Sequence, residues 1–403
     1  MIVRLGLACN LIENDSELDA MDTTEAAGAA AASLKPATTL PGQVVLVFQG
    51  GGALGAYQGG VYQALHEAGI EPNWVIGTSI GAVNGAIIAG NAFDKRLDCI
   101  REFWMRMGRK PFWGHAPLAL MAGNVAAHMM TVFTGISGYF SPNRALAWGL
   151  QAAVGVEQAA FYTVDELRET LTEIVDFERL NAGQPRLTVG AVNVRSGKMH
   201  YFDSRSMPLT LKHVLASGAL PPAFPAIRID GEPYWDGGIY SNTPIETVFE
   251  DNPRRDSVVF TVQVWHAAGP EPESVWQVLN RQKDILYASR ADSHIARQET
   301  LHQFRHIIRE LVRRLPESER ETPEVRKLAG FGCGTTMHIV RLNAPRLAGE
   351  DHMRDIDFSN SGIRSRWEAG FADMARTLDR RPWEVHIDPM IGVAVHDPDE
   401  PGT

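Results

Sequence analysis

Apolar positions follow two patterns along this chain. Short runs with little polar alternation, VVLVF at 44–48, WVIG at 74–77, RLTVGAVNV at 186–194 and SVVFTVQVW at 257–265, predict strands of the buried kind. KMHYFDS at 198–204, AIRI at 226–229, PYWD at 233–236 and TTMHIVRLN at 335–343 predict further strands, the last of these closing the series. Helical period marks the stretch after residue 55 and the segments 79–91, 163–182, 210–221, 274–315 and 361–379. Thr163, with Glu166 three residues on, reads as a capping box opening the third of these segments. Arg195-Ser196-Gly197 predicts a hairpin turn, and Asp230-Gly231-Glu232 another. Strand, loop, helix, strand, turn and helix succeed one another over 43–91, the rhythm of a mostly parallel sheet with helices on both faces. The fold class predicted is α/β.

Two glycine-framed turns in that stretch carry the chemistry. Gly77-Thr78-Ser79-Ile80-Gly81 is a G-x-S-x-G between a strand and a helix. A sharp strand-to-helix turn strains the backbone of its central residue, and flanking glycines remove the Cβ atoms that would clash. Ser79 Oγ is then expected to project above a helix N-terminus, where the dipole and the Ile80 N–H favour negative charge. The earlier turn, Gly50-Gly51-Gly52-Ala53-Leu54-Gly55, also opens a helix, so its main-chain N–H groups are free to converge on an anion. Gly50, Gly52 and Gly55 match G-x-G-x-x-G as well, the dinucleotide fingerprint. That reading needs an acidic residue at the end of the next strand. The chain has Gly-Thr-Ser there, which favours an oxyanion hole. A third site is Asp236, at the end of a predicted strand and followed by Gly237 and Gly238, which permit close backbone approach.

Bulk composition narrows the partners. At 403 residues and 44% hydrophobic the chain is able to bury a large core, and its net charge of −10, with no dominant basic stripe, argues against nucleic acid. Three cysteines, Cys9, Cys99 and Cys333, lack metal spacing and point to a reducing compartment. No run approaches the roughly 18 apolar residues that span a bilayer, and the N-terminus lacks a secretory h-region, so a cytoplasmic protein is expected. Residues 1–42 read as a poorly ordered acidic and Ala-rich tail, and the chain from Asp388 onward as an acidic, proline-rich one. Residues 93–162, rich in aromatics, Met and Ala, read as a helical insertion with its own small core, or as a lid over the catalytic turn. The basic residues Arg96, Arg101, Arg106, Arg109 and Lys110 either form a solvated helix face or favour an anionic lipid surface. His302 and His306, one helical turn apart with no further ligand at metal spacing, read as surface or interface residues, so no metal and no cofactor is expected.

GGGALG, GTSIG and DGG, in this order and with Asn242 and Pro244 following, resemble the patatin-like phospholipase family over residues 43–265. The resemblance implies a three-layer patatin-like fold and a lipid acyl hydrolase working through a Ser-Asp dyad without histidine, metal or cofactor. Ser79 would be the nucleophile, Asp236 the base, and the N–H groups of Gly51, Gly52 and Ala53 the oxyanion hole. Gly50, Gly55, Gly77, Gly81, Gly237, Gly238 and Asn242 would support them. Leu54 stands where many members carry Arg or Lys, which leaves main-chain donors intact and removes a cation. A catalytic domain over 43–345 is expected, with a helical segment at 270–330 and a C-terminal extension at 346–403. Phospholipids, lysophospholipids, glycerides, short esters, thioesters or a storage polyester would each present a suitable carbonyl, and peripheral contact with a membrane, droplet or granule is compatible with them. Two rivals stand beside this reading. One is a triad completed by His266; the other is a lipid- or partner-binding scaffold on a retired hydrolase fold.

Overall fold

The computed structural model describes residues 40–108, 139–347, 350 and 354–397. The expected tail up to residue 39 and the middle of the expected insertion, with Arg109 and Lys110, lie outside them.

In chain order the elements begin with β1 (Gln43–Phe48), a 3-10 turn at Gly52–Gly55, α1 (Ala56–Glu67), β2 (Trp74–Gly77), α2 (Ile80–Ala89) and α3 (Arg96–Met107). A small pair, β3 (Ser141–Pro142) and β4 (Tyr162–Thr163), precedes α4 (Asp165–Ile174) and α5 (Phe177–Ala182). There follow β5 (Arg186–Asn193), β6 (Met199–Asp203), α6 (Leu211–Ser217), β7 (Ile227–Ile229), β8 (Glu232–Asp236), α7 (Glu246–Phe249) and β9 (Ser257–Gln263). The C-terminal third holds α8 (Val275–Arg314), α9 (Glu317–Arg320), α10 (Pro323–Ala329), β10 (Met337–Asn343), α11 (Asn360–Arg380) and β11 (Val393–His396).

These strands build one nine-stranded sheet, parallel through β11-β10-β9-β1-β2-β5, with β6, β7 and β8 added antiparallel. Alternation along β1 shows why it is continuously apolar. Val44, Leu46 and Phe48 face the core under α1, α2 and α3, whereas Val45 and Val47 face a second core with Phe249, Val259, Ile295 and Ile339. Helices therefore cover both faces, as the α/β reading requires.

The register of β5 sets the position of the site. Its residues Thr188 to Val192 pair with β6 along one edge. On the other edge β2 runs parallel and ends with Gly77 opposite Val189, while β8 runs the opposite way and ends with Asp236 opposite Ala191. Two strands far apart in sequence thus approach each other tip to tip, and their C-terminal residues emerge at one place.

Several expectations are corrected. The capping box at Thr163 does not form: Thr163 lies in β4 with its hydroxyl 3.2 Å from Ser141 Oγ, and α4 starts after Val164 without a side-chain cap. The helical stretch 163–182 is two helices, because Asp176 accepts from the N–H groups of Glu178 and Arg179 and starts the second. TTMHIVRLN is not the last strand. Val393–His396, inside the stretch read as a tail, pairs parallel to β10. The described start of the 93–162 insertion, α3, is a core helix with Cys99, Ile100, Phe103, Trp104 and Met107 buried. Its cations are engaged within the protein, Arg96 with Glu71 and Arg106 with Glu102 and Glu173. His302 and His306 are buried rather than at the surface.

The C-terminal helix α11 is built onto α1 at backbone distance. A Cβ on Gly60 would lie 1.9 Å from the Trp367 carbonyl oxygen, and one on Gly370 2.0 Å from that of Tyr57. Tyr57 also donates to Asp373 at 2.7 Å. Because α1 begins directly after the glycine loop, this contact fixes the loop from behind.

Candidate active site

Ser79 is one of three described non-glycine residues with positive φ, at φ 56 and ψ −124. Such a backbone costs about 1–3 kcal/mol and survives only where the surroundings enforce it. They do so here. A Cβ on Gly77 would meet the Gly81 carbonyl oxygen at 2.3 Å, and one on Gly81 the Phe48 carbonyl oxygen at 2.4 Å, so both framing glycines are sterically required. The Ser79 N–H donates at 3.1 Å to both the carbonyl oxygen and Oγ of Ser217, whose own hydroxyl donates to Gly190 O at 2.7 Å. Ser217 is fully buried, and no motif in the sequence distinguishes it.

Asp236 meets Ser79 across the gap between the two strand tips. Gly238 N–H donates to Asp236 Oδ1 at 2.7 Å. Burial raises the carboxyl from 3.8 to about 7, and Gly238 N–H and the nearby Ser79 side chain pull the other way. Gly237 is required for the approach, since a Cβ there would lie 2.4 Å from Gly190 O.

The glycine loop runs along the same edge. Asn242 clamps its start: Gly50 N–H donates to Asn242 Oδ1 and Asn242 Nδ2 donates to Gly50 O, each at 3.1 Å. A Cβ on Gly50 would fall 2.9 Å from Ser79 Cβ, which places the loop directly against the serine. Trp265 Nε1 donates to Gly50 O at 2.7 Å. Gln49 Oε1 accepts from the N–H groups of Val264 and Trp265. The first bond of the turn runs from Leu54 N–H to Gly51 O, so the N–H groups of Gly51, Gly52 and Ala53 precede it and have no place in the turn's own bonding. Gly51 and Gly52 are half-buried and Ala53 is buried. Gly55 lies where α2 crosses, 2.6 Å from Ile80 for a Cβ. Gln58 Nε2 donates to Gln49 O at 2.6 Å, Asn84 Nδ2 to Gly55 O at 3.1 Å and Trp104 Nε1 to Asn84 Oδ1 at 3.1 Å, a support for the loop that no sequence motif marks.

His266 is not among the partners of this pair. Burial with the nearby charges of Arg354 and Arg346 pushes it down to about 4. A cavity of about 700 Å³ lined by Gln43, Asn73, Trp74 and Arg186 opens at the starts of β1, β2 and β5, the opposite strand ends from Ser79. Ligands of open α/β sheets bind at the carboxyl ends, where the serine lies.

Residues 46–249 match the family model described as Patatin-like phospholipase, and residues 285–390 match a second, described as Patatin phospholipase. The chain belongs to the patatin-like phospholipase family. A segment of 49 residues is 57% identical to Lysophospholipase nte1 of Aspergillus terreus (strain NIH 2624 / FGSC A1156), covering 12% of this chain and 3% of that protein's length. The crystal structure of VipD from Legionella pneumophila is similar at 16% identity and a TM-score of 0.35, over 84% of this chain and 67% of that one. The second family match takes in α11, so the extension that braces the glycine loop belongs to the patatin-like region. Among the described residues no helix is long and apolar enough to cross a membrane.

Proposed function

We propose that this patatin-like protein cleaves carboxylic esters of phospholipids or lysophospholipids through a Ser79–Asp236 dyad, with the N–H groups of Gly51, Gly52 and Ala53 as the oxyanion hole. The observation that carries the reading is the meeting of the strained Ser79 and the buried Asp236 at two strand tips that β5 brings together.

Ser79 Oγ attacks the ester carbonyl carbon as its proton passes to Asp236, and the carbonyl oxygen becomes an oxyanion facing the glycine loop. Collapse of the tetrahedral intermediate breaks the bond to the alcohol, which leaves with the proton held by Asp236. Water then attacks the acyl-enzyme by the same route, releasing the fatty acid and restoring the serine. An ordinary carboxylate near 3.9 is a weak base for a hydroxyl. A basicity near neutrality narrows that gap, and amide donors fixed in advance stabilise the charge that develops.

The aromatic cluster of Tyr139, Phe140, Tyr162, Phe224 and Phe358, with ring centroids 4.7–6.2 Å apart in its contacting pairs, favours a long acyl chain over a short ester. Tyr139 is close enough for the charge of Asp236 to act on it; burial first, then that charge, keeps its phenol protonated. Peripheral contact with a lipid surface fits the start of α8, which exposes Val275, Val278, Leu279 and Leu286.

Mass spectrometry of lipids consumed by the purified protein, with Ser79→Ala as control, tests the reading. A fluorophosphonate probe should label the wild type and not the variant. Equal labelling, or none in either, would favour the retired scaffold.

A further inference from the structure

Among the described residues His302, His306 and Cys333 bring two imidazoles and a thiol together, with ligand atoms within 4.8 Å of one another and all three residues buried. They lie on α8 and on the loop before β10. The reaction proposed above does not use them.

The hydrogen positions around the two rings are constrained. His306 Nδ1 is 2.7 Å from Pro389 O, and a carbonyl only accepts, so Nδ1 carries the proton and Nε2 presents a bare lone pair. That lone pair is 2.9 Å from Thr335 O, itself an acceptor, and 3.1 Å from His302 Nε2, which is 2.8 Å from the same carbonyl. Three acceptor-capable atoms thus form a triangle with sides near 3 Å. A proton on His302 Nε2 would ease the contact but leave His302 Nδ1 a buried acceptor with no partner, as it is in the structure. A cation shared by both rings eases it equally, with the His302 proton then on Nδ1.

We propose that His302 Nε2, His306 Nε2 and Cys333 Sγ bind a zinc-class divalent cation, with Thr335 O or a water as the fourth ligand. Zinc takes imidazole nitrogen at about 2.0–2.1 Å and thiolate at about 2.3 Å in a tetrahedral set, which suits a nitrogen pair 3.1 Å apart. Imidazole with thiolate selects zinc over magnesium or calcium. The Pro389 carbonyl holding His306 Nδ1–H is the outer partner such a ligand ordinarily has. Cys333 Sγ, now 3.0 Å from Thr335 Oγ1, turns inward on binding and releases its proton.

The consequence is structural. A Cβ on Gly392 would lie 2.3 Å from His306 Nε2, so the chain entering β11 packs on the ligand itself. The ion would tie α8, the 333–335 loop and the last strand together, on the far side of β9 and β10 from the proposed dyad.

The test uses the full chain stripped with a chelator and titrated with Co²⁺. Expected are intense tetrahedral d–d bands, a near-ultraviolet thiolate charge-transfer band and saturation at about one equivalent, as a single four-coordinate site requires. Cys333→Ser should lose the charge-transfer band, and His306→Gln should weaken binding at least tenfold. Zn²⁺ should raise the Tm of the stripped protein while fluorophosphonate labelling of Ser79 stays unchanged. Absence of tetrahedral bands, with a Tm indifferent to Zn²⁺, would overturn the site and leave a hydrogen-bonded histidine pair. A charge-transfer band that survives in Cys333→Ser would remove Cys333 from the ligand set.

Discussion

Asp236→Asn separates the chemistry of the site from its stability. Raising the carboxyl from 3.8 to about 7 corresponds to about 4 kcal/mol by which the folded state disfavours the ionised form, at about 1.4 kcal/mol per pH unit. The folded-state value lies above the unfolded one, so the folded protein holds the extra proton between about pH 4 and 7 and loses stability as pH rises through that window. At pH 8 the whole penalty is present. Asparagine removes it and keeps an oxygen for Gly238 N–H and an amide for Ser79 Oγ. The raised value already includes the opposing pull of Gly238 and Ser79, so the net gain at pH 8 is about 4 kcal/mol. At about 2.1 cal/mol/K per residue a chain of this length shifts by about 1 °C per kcal/mol, a rise in Tm of about 5 °C at pH 8. The difference should shrink toward zero as pH falls to 4. Hydrolysis of a lysophospholipid should drop by about 100-fold to 10,000-fold, the usual worth of a positioned base. Thermal melts across pH 4–8, paired with rate measurements, provide the assay. A variant less stable than wild type at pH 8, or one whose advantage does not vary with pH, would refute the idea that Asp236 is a desolvated carboxylate.

Other perturbations test the frame around the pair. In the wild type, kcat/KM should fall about tenfold per unit below about pH 7, as Asp236 takes up its proton; a profile flat from pH 5 to 8 would exclude it as the base. Ser217→Ala removes one acceptor from the Ser79 N–H and the donor to Gly190 O, costing about 1–2 kcal/mol in a chemical-denaturation series and lowering kcat more than it raises KM. His266→Ala should leave turnover within about twofold, whereas a triad would predict a loss of about 10,000-fold. Arg354→Met leaves Asp284 buried with Arg346 as its remaining cation and should destabilise by about 3–5 kcal/mol, read as a lowered denaturation midpoint.

Patterns that depend on neighbours in sequence were legible. The buried strands, the elbow at Ser79 and the turn at Asp230-Gly231, both with positive φ, follow from apolar runs and glycine placement alone. What stayed hidden depends on chain crossings. Ser217 supports Ser79 because α6 ends beside β5, and nothing around Ser217 announces that contact. β11 escaped because four residues within a polar stretch gain strand character only from the β10 edge they join. The buried state of His302 and His306 was missed because their helix reads as charged; Cys333 and Pro389, distant in sequence, enclose them. Thr163 was misassigned for a related reason, its hydroxyl being taken by Ser141 across a strand pair too short to detect.

The site carries a strained serine, a desolvated carboxylate and, at Gly51–Ala53, amides outside the turn's own bonding, and each is tolerable only if the backbone around it cannot relax. Two elements supply that stiffness to the glycine loop. Trp265 grips Gly50 from the chain just beyond β9, with Arg354 over its ring at 5.4 Å. The turn at Arg354–Ile356 closes on the loop directly, since a Cβ on Gly52 would lie 2.3 Å from Asp355 O. Arg354 is held in turn by Asp284 on α8, and Asp355 by Lys283 at 2.8 Å. Leu54, where the family pattern often has a cation, is buried and lines a pocket with Arg354 and Arg366, so positive charge reaches this region from the C-terminal third of the chain. An extension that looked separable by sequence is therefore one wall of the loop proposed as the oxyanion hole, and on that proposal loosening it should act on the oxyanion before it acts on the nucleophile.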